Sequence, residues 1–231
     1  MQQIRCFGDD RNKGFCVHCG RPDETRDHVP SKIFLDEPYP ENLPVLPSCL
    51  RCNNDLSIHE EYLACLLECI LVGTTEPSKL KRSRVAAVLN QKPLLLERLR
   101  KAKSDLDGVP SWSVEDDRIR AVVLKLARGH AAYELNEPRI DAPTHIDFRP
   151  FPTMSDSERE AFEDLATGAA LAPWPEVGTR ALQRLFIVES EIYEQGWLDV
   201  QESNYRFQVS QQDGLTVRFV LREYLACRVV W

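Results

Sequence analysis

No stretch of the 231 residues approaches the ~18 consecutive apolar residues that a membrane-spanning helix needs, so no helical span is expected. Nor is there an excess of basic residues. Lys and Arg number 29 against 36 Asp and Glu, a net charge of −7, which argues against a uniformly nucleic-acid-binding surface. The first residues lack a basic, apolar leader, which predicts a soluble chain kept in reducing cytoplasm, where disulfides are uncommon. With 43% hydrophobic residues the chain can still bury one or two compact cores.

Against that plain background, residues 16 to 59 are unusually specific. They read Cys16-Val17-His18-Cys19, then Arg26-Asp27-His28-Val29-Pro30, then Asn42-Leu43 and Cys49-Leu50-Arg51-Cys52-Asn53-Asn54, and finally His59-Glu60-Glu61. Two residues between thiolates let one tight turn offer both sulfurs to a tetrahedral ion, and a second such turn completes the shell. Cys16, Cys19, Cys49 and Cys52 are therefore expected to hold one structural Zn²⁺. The 29 residues between the pairs exceed the about 15–20 of a plain zinc ribbon, so the two turns must clamp a functional segment that contains Asp27 and His28. Structural zinc supplies roughly 10–16 kcal/mol of apparent binding free energy, enough to order a segment with little core of its own. The alternatives are buried or disulfide-bonded pairs, or a redox motif; the last needs a single CxxC at a helix start rather than two facing pairs.

The order CxxC, Asp-His-Val-Pro, Asn-Leu, then CxxC-Asn resembles the zinc-containing branch of the HNH endonuclease superfamily, including its stand-alone bacterial proteins, over about residues 14 to 62. The resemblance implies a ββα-metal finger, a hairpin followed by a helix gripping one divalent ion, and hydrolysis of phosphodiester bonds in DNA. It makes His28 the general base, Asp27 a metal ligand, Asn42 a brace for the hairpin and the base, and Asn53 a second metal ligand at the start of the helix. An imidazole titrates near neutrality and suits the base role. On a strand the neighbours Asp27 and His28 point to opposite faces, so they can approach ion and water from different sides. His59, six residues beyond Asn53, could be a third ligand if residues 55–57 are not regular helix; Ser57 and Glu60 could instead form a capping box for a helix beginning at Ile58. Carboxylate and amide oxygens favour Mg²⁺ or Mn²⁺, and a His59 ligand would admit Zn²⁺ or Ni²⁺. Restriction or defence against phage is the family's habitual context. The competing expectation is a catalytically inactive, zinc-stabilised module for nucleic-acid binding or protein contacts. A regulatory protein partner or a homodimer fits either case.

The charge is unevenly spread. Residues 1–110 balance to zero, so the whole negative excess lies in 111–231. Between Lys79 and Lys103 stand Lys79, Lys81, Arg82, Arg84, Lys92, Arg98, Arg100, Lys101 and Lys103 against the single acid Glu97. Such a stripe can neutralise phosphates of DNA on an acidic protein, and it equally fits a solvated helical face.

The expected fold is α+β: an N-terminal zinc-framed finger domain over 1–75, then a helical and β region over 76–231 for scaffolding or substrate and partner selection. Apolar periodicity predicts helices at 60–72, ended by Gly73, at 83–89, at 93–102 with Pro93 in its first turn, at 119–135 and at 155–165. The Pro-rich 138–175 reads otherwise as an irregular connection. Short β-branched runs at 185–190, 196–201, 205–210, 216–221 and 225–231 predict a small antiparallel sheet with an Asp213-Gly214 turn. His18 is expected as an exposed turn residue, Cys65 and Cys69 as core, and His130 and His145 without chemistry.

Overall fold

A computed structural model describes residues 13–41, 43–164, 197–211 and 214–231. The chain divides into two compact units, one of Met1–Asp55 with Val123–Trp231 and the other of Leu56–Val122. The described residues form an α+β fold with five α-helices and a C-terminal antiparallel sheet.

The first unit opens with a tight turn in which Gly20 and Cys19 donate their amides to the Cys16 carbonyl. β1 (Thr25–His28) then pairs antiparallel with β2 (Val45–Ser48), and α1 (Leu50–Val72) starts two residues later. The helix begins ten residues before the expected start because its first amides find partners in the cysteine turn. Cys49 Sγ accepts from Cys52 N at 3.4 Å, and Glu24 Oε2 accepts from Leu50 N at 3.1 Å. Ser57 therefore lies inside a continuous helix rather than at the start of one.

The sheet of this unit has the order β5-β9-β8-β7-β6. Its strands are β5 (His145–Pro150), β6 (Leu198–Gln201), β7 (Tyr205–Ser210), β8 (Thr216–Leu221) and β9 (Leu225–Val230). The last four match the runs read from the sequence, whereas 185–190 and Asp213 lie outside the described residues. β5 was not expected: the stretch read as irregular forms an edge strand because residues 145–150 pair in register with β9. One sheet face, with Tyr205, Phe207, Val217, Phe219, Cys227 and Val229, is buried. α4 (Asp116–Glu134) brings His130 onto it, stacked on Phe207 at 3.9 Å and bonded through Nε2 to the Tyr205 hydroxyl at 2.7 Å.

Further residues of α4 receive the first cysteine turn and the β1–β2 hairpin. Val17, Val29 and Leu46 form a small buried cluster with Ala132 and Tyr133. Gly129 makes this approach possible, because a Cβ there would lie 2.5 Å from Val29 Cγ2. The connection between β1 and β2 is also tied down. Asp36 exchanges backbone bonds with the Gln201 amide at 2.7 and 2.9 Å and accepts from Arg222 at 2.8 Å.

In the second unit, α1 from Leu56 onward buries Tyr62, Leu63, Leu66, Leu67, Cys65 and Cys69, as its periodicity required. α2 (Ser83–Gln91) and α3 (Pro93–Ala102) bury Val85, Leu89 and Leu99. Gly73, at φ +76, ends α1, and Lys103 Nζ donates to its carbonyl at 2.8 Å. A hairpin not expected from the sequence, β3 (Lys103–Leu106) with β4 (Val109–Trp112), turns on Asp107-Gly108, both at positive φ. Among the described residues no helix is long and apolar enough to cross a membrane.

The Gly129 contact is testable by denaturant unfolding. Gly129→Ala is expected to destabilise by about 1–3 kcal/mol through overpacking, and Val29→Ala in the same chain to restore most of the loss. An unchanged midpoint for the single variant would refute the close approach.

Candidate metal centre and finger

Cys16, Cys19, Cys49 and Cys52 bring their sulfurs within 4.8 Å of one another, with Cys19 and Cys49 at 3.7 Å. A tetrahedral Zn²⁺ with bonds of about 2.3 Å sets its sulfurs about 3.8 Å apart, so the spacing fits that ion. The ionisation of the thiols also calls for a cation. Burial opposes the Cys16 thiolate, but amides of Cys49, His18 and Cys19 bring its pKa down to about 7. Burial and the neighbouring thiols then push Cys52 far up, and Cys19 is raised by burial first and by Cys16 and Cys49. Four thiolates can coexist here only around a divalent cation. The four cysteines are thus suited to a structural zinc.

α4 supplies the second layer. Arg128 donates to the carbonyls of His18 at 2.9 Å, Ile140 at 2.9 Å and Asp141 at 3.1 Å. Burial weakens its charged form, and Asp141 with Cys52, Cys16 and Cys19 offsets this. One turn earlier, Lys125 Nζ lies 3.1 Å from Asp27 Oδ1, 2.9 Å from Asp27 Oδ2 and 3.1 Å from Ser31 Oγ. His18 Nε2 meets Asp27 Oδ2 at 3.2 Å. The Lys125 and Asp27 side chains are 1% and 7% exposed. Burial alone would raise the Asp27 carboxyl, yet the bonds from His18 and Lys125 hold it below the usual carboxylate range. His18, only 5% exposed, is corrected from a turn residue in solvent to a buried partner of Asp27; burial keeps its imidazole neutral by lowering its pKa.

Asp27 and His28 point to opposite sides of β1, as their adjacency required: Asp27 is buried towards α4 and His28 is half-buried. The His28 imidazole makes no hydrogen bond among the described residues. Its pKa is lowered by burial first and then by Lys32 and Lys125, so it is neutral near pH 7. Asn53, in the first turn of α1, donates through Nδ2 to Thr25 Oγ1 at 3.2 Å and to the Arg26 carbonyl at 3.5 Å. This bridges the helix to the strand that ends in His28 and leaves the amide oxygen as its acceptor end. Asn42 lies outside the described residues. His59 is on the same unbroken helix as Asn53, so six residues carry it roughly 240° around and about 9 Å along the axis. Helix geometry therefore directs the two side chains differently.

A divalent ion on Asp27 would have to take the place that the Lys125 ammonium holds, since both cannot share one buried carboxylate. Asn53 and His28 carry no such competitor. The basic segment is partly committed within its own unit. Lys79, Lys92, Lys101 and Arg98 pair with Glu76, Glu61, Glu97 and Glu115. Arg82 is buried, and Lys103 serves the end of α1. Lys81, Arg84 and Arg100 are exposed. Exposed ion pairs of this kind are worth little and exchange readily for phosphate.

Lys125 and Arg128 belong to no local motif, and His18 is buried where its turn position suggested exposure. The signal was available for Lys125: it stands among Val122, Val123 and Leu126 on the buried stretch of α4, where a charge requires a partner. Compared with known proteins, the chain matches no family model, and neither a curated protein nor a solved structure matches it.

Two outcomes are expected. The purified chain holds about one zinc, and Cys52→Ser or a strong chelator abolishes its cooperative unfolding, read by mass spectrometry of the native protein and by circular dichroism. Lys125→Met leaves the Asp27 carboxylate without its cation and costs about 3–5 kcal/mol in urea unfolding, with Asp27→Asn added to it recovering much of that loss; a variant as stable as the wild type would sink the ion-pair account.

Proposed function

We propose that the chain is a metal-dependent endonuclease of the HNH type that hydrolyses phosphodiester bonds of DNA. One observation carries this: a neutral imidazole, His28, stands half-exposed and without a hydrogen bond at the end of the hairpin, and Asn53 bridges that strand to the helix that follows. Such a group can take a proton from water attacking a phosphate, a task typically worth ~10²–10⁴ in rate. The divalent ion implied by the resemblance, Mg²⁺ or Mn²⁺, would stabilise charge on the phosphate and the leaving oxygen. Asn53 offers it a carbonyl oxygen, whereas Asp27 becomes a ligand only by exchanging Lys125. The exposed basic residues between Lys79 and Lys103 supply charge for the DNA backbone, and restriction or phage defence in the cytoplasm is the setting such an activity fits.

A specific observation favours the alternative, an inactive zinc-stabilised binding module: both oxygens of Asp27 are already held by Lys125. Cleavage of supercoiled plasmid decides between the two. Wild-type protein with Mg²⁺ or Mn²⁺ is expected to nick DNA, EDTA to stop it, and His28→Ala to reduce the rate by about 10²-fold or more at unchanged zinc content. Equal cutting by His28→Ala, or DNA retention without cutting under any ion, establishes the inactive module instead.

A further inference from the structure

The sheet face that also bears Val220 and Ala226, which pack with Phe151 and Trp197, carries a row of polar side chains. The strand register places Gln208 of β7 beside Arg218 of β8, Arg218 beside Arg228 of β9, and Arg228 beside Asp147 of β5. These positions alternate with Phe207, Val217, Phe219, Cys227 and Val229, which face the core, so the row lies on the opposite side. Two arginines directly opposed across a ladder repel each other. A guanidinium does not relieve this by losing its proton.

Other arginines of the same face are matched to acids. Arg206 holds Glu163 through two bonds at 2.6 and 2.7 Å and also Glu223 at 2.8 Å, while Arg149 holds Glu158 at 2.8 Å. Arg218 and Arg228 are not served in that way. Arg218 Nη1 donates at 2.8 Å to the neutral Gln208 Oε1, and the nearest approach of Arg228 to Asp147 is 3.8 Å, beyond hydrogen-bond reach. Arg218 Nε, Arg228 Nε and Gln208 Nε2 are buried atoms without a hydrogen-bond partner among the described residues. Gln208 is itself only 4% exposed, and its oxygen is committed to Arg218, so its amide group is directed elsewhere with nothing to receive its protons.

Asp147 stands 3.8 Å from Arg228 and Asp164 acts on Arg218 through its charge, yet the three donor nitrogens stay unmet, which points to an acceptor that is anionic and has several oxygens. A carboxylate is planar and satisfies one guanidinium in a paired fork. A tetrahedral phosphate presents more oxygens in more directions and can be shared by two guanidiniums whose Cα atoms lie roughly 4.5–5.5 Å apart on paired strands. We propose that Gln208, Arg218 and Arg228 form a phosphate-binding site on the face of the C-terminal sheet opposite Phe207, Val217 and Phe219. Arg218 and Arg228 supply charge and paired donors, and Gln208 orients Arg218 while offering its own amide. The site is independent of whether His28 cuts DNA, so it stands in an active or an inactive chain.

The test is calorimetric titration of the full, zinc-loaded chain with inorganic phosphate, alongside the thermal midpoint with and without it. Wild type is expected to bind saturably and to melt higher, and Arg228→Gln, changed at a half-exposed position, to bind roughly tenfold to a hundredfold more weakly, as loss of a charged hydrogen-bonding group predicts. Arg218→Gln serves as a second variant once its circular dichroism matches wild type. Absence of binding by wild type at millimolar phosphate, or equal binding by Arg228→Gln, overturns the site. A short oligonucleotide identifies the source of the phosphate. If inorganic phosphate displaces it from wild type and Arg228→Gln weakens it, the ligand is a phosphate of a nucleic-acid strand; if oligonucleotide binding ignores both changes while phosphate still binds, the ligand is the free anion.

Discussion

A buried ammonium meeting a buried carboxylate, Lys125 against Asp27, is the contact on which the arrangement of the β1–β2 hairpin depends. Taking either charge out of water alone costs several kcal/mol, so each requires the other, and the pairing dictates how the hairpin lies on α4. Ser31 and His18 complete the contact from the loop after β1 and from the first cysteine turn. The result couples three short segments that have almost no apolar core in common. Hydrophobic packing alone would hold them weakly: the shared cluster of Val17, Val29, Leu46, Ala132 and Tyr133 is small.

The same helix works on two fronts. At Lys125, Arg128 and Gly129 it receives the cysteine turn and the hairpin through charge, carbonyl bonds and close backbone approach, and at His130 it stacks on the sheet. The hairpin is thereby an integral part of its unit, even though the two cysteine pairs enclose a self-contained stretch of sequence. The tie from Asp36 to Gln201 and Arg222 extends the same logic to the connection between β1 and β2. The position of His28 therefore depends on residues some hundred and more positions away. Geometry at the end of β1 is set by α4 and the sheet as much as by the four-cysteine cluster.

Asp27 and His28 illustrate how one dipeptide can serve two ends. Strand alternation sends the carboxylate inward to a lysine and the imidazole outward, half-exposed. Charge balance within the fold thus competes with metal binding for the same aspartate, and Asn53 and His28 are spared that competition. On the far side of the molecule's sheet a comparable question of balance has the opposite outcome, with Arg218 and Arg228 opposed and incompletely matched.

The cysteine spacing by itself determined the candidate zinc site, because two facing pairs with two-residue gaps offer four sulfurs to one tetrahedral ion. Apolar periodicity likewise made legible the helices of the second unit and the last four strands, since burial of one face imposes a period of its own. Tertiary structure alone decided the rest. β5 is a strand only because β9 offers it an edge, and α1 begins at Leu50 only because Cys49 and Glu24 receive its first amides. The engagement of Asp27 by Lys125 joins residues 98 apart in sequence. Local patterns carry no information about such partners, because a charge on a buried helix face announces that it needs a counter-charge without saying where the chain will supply it.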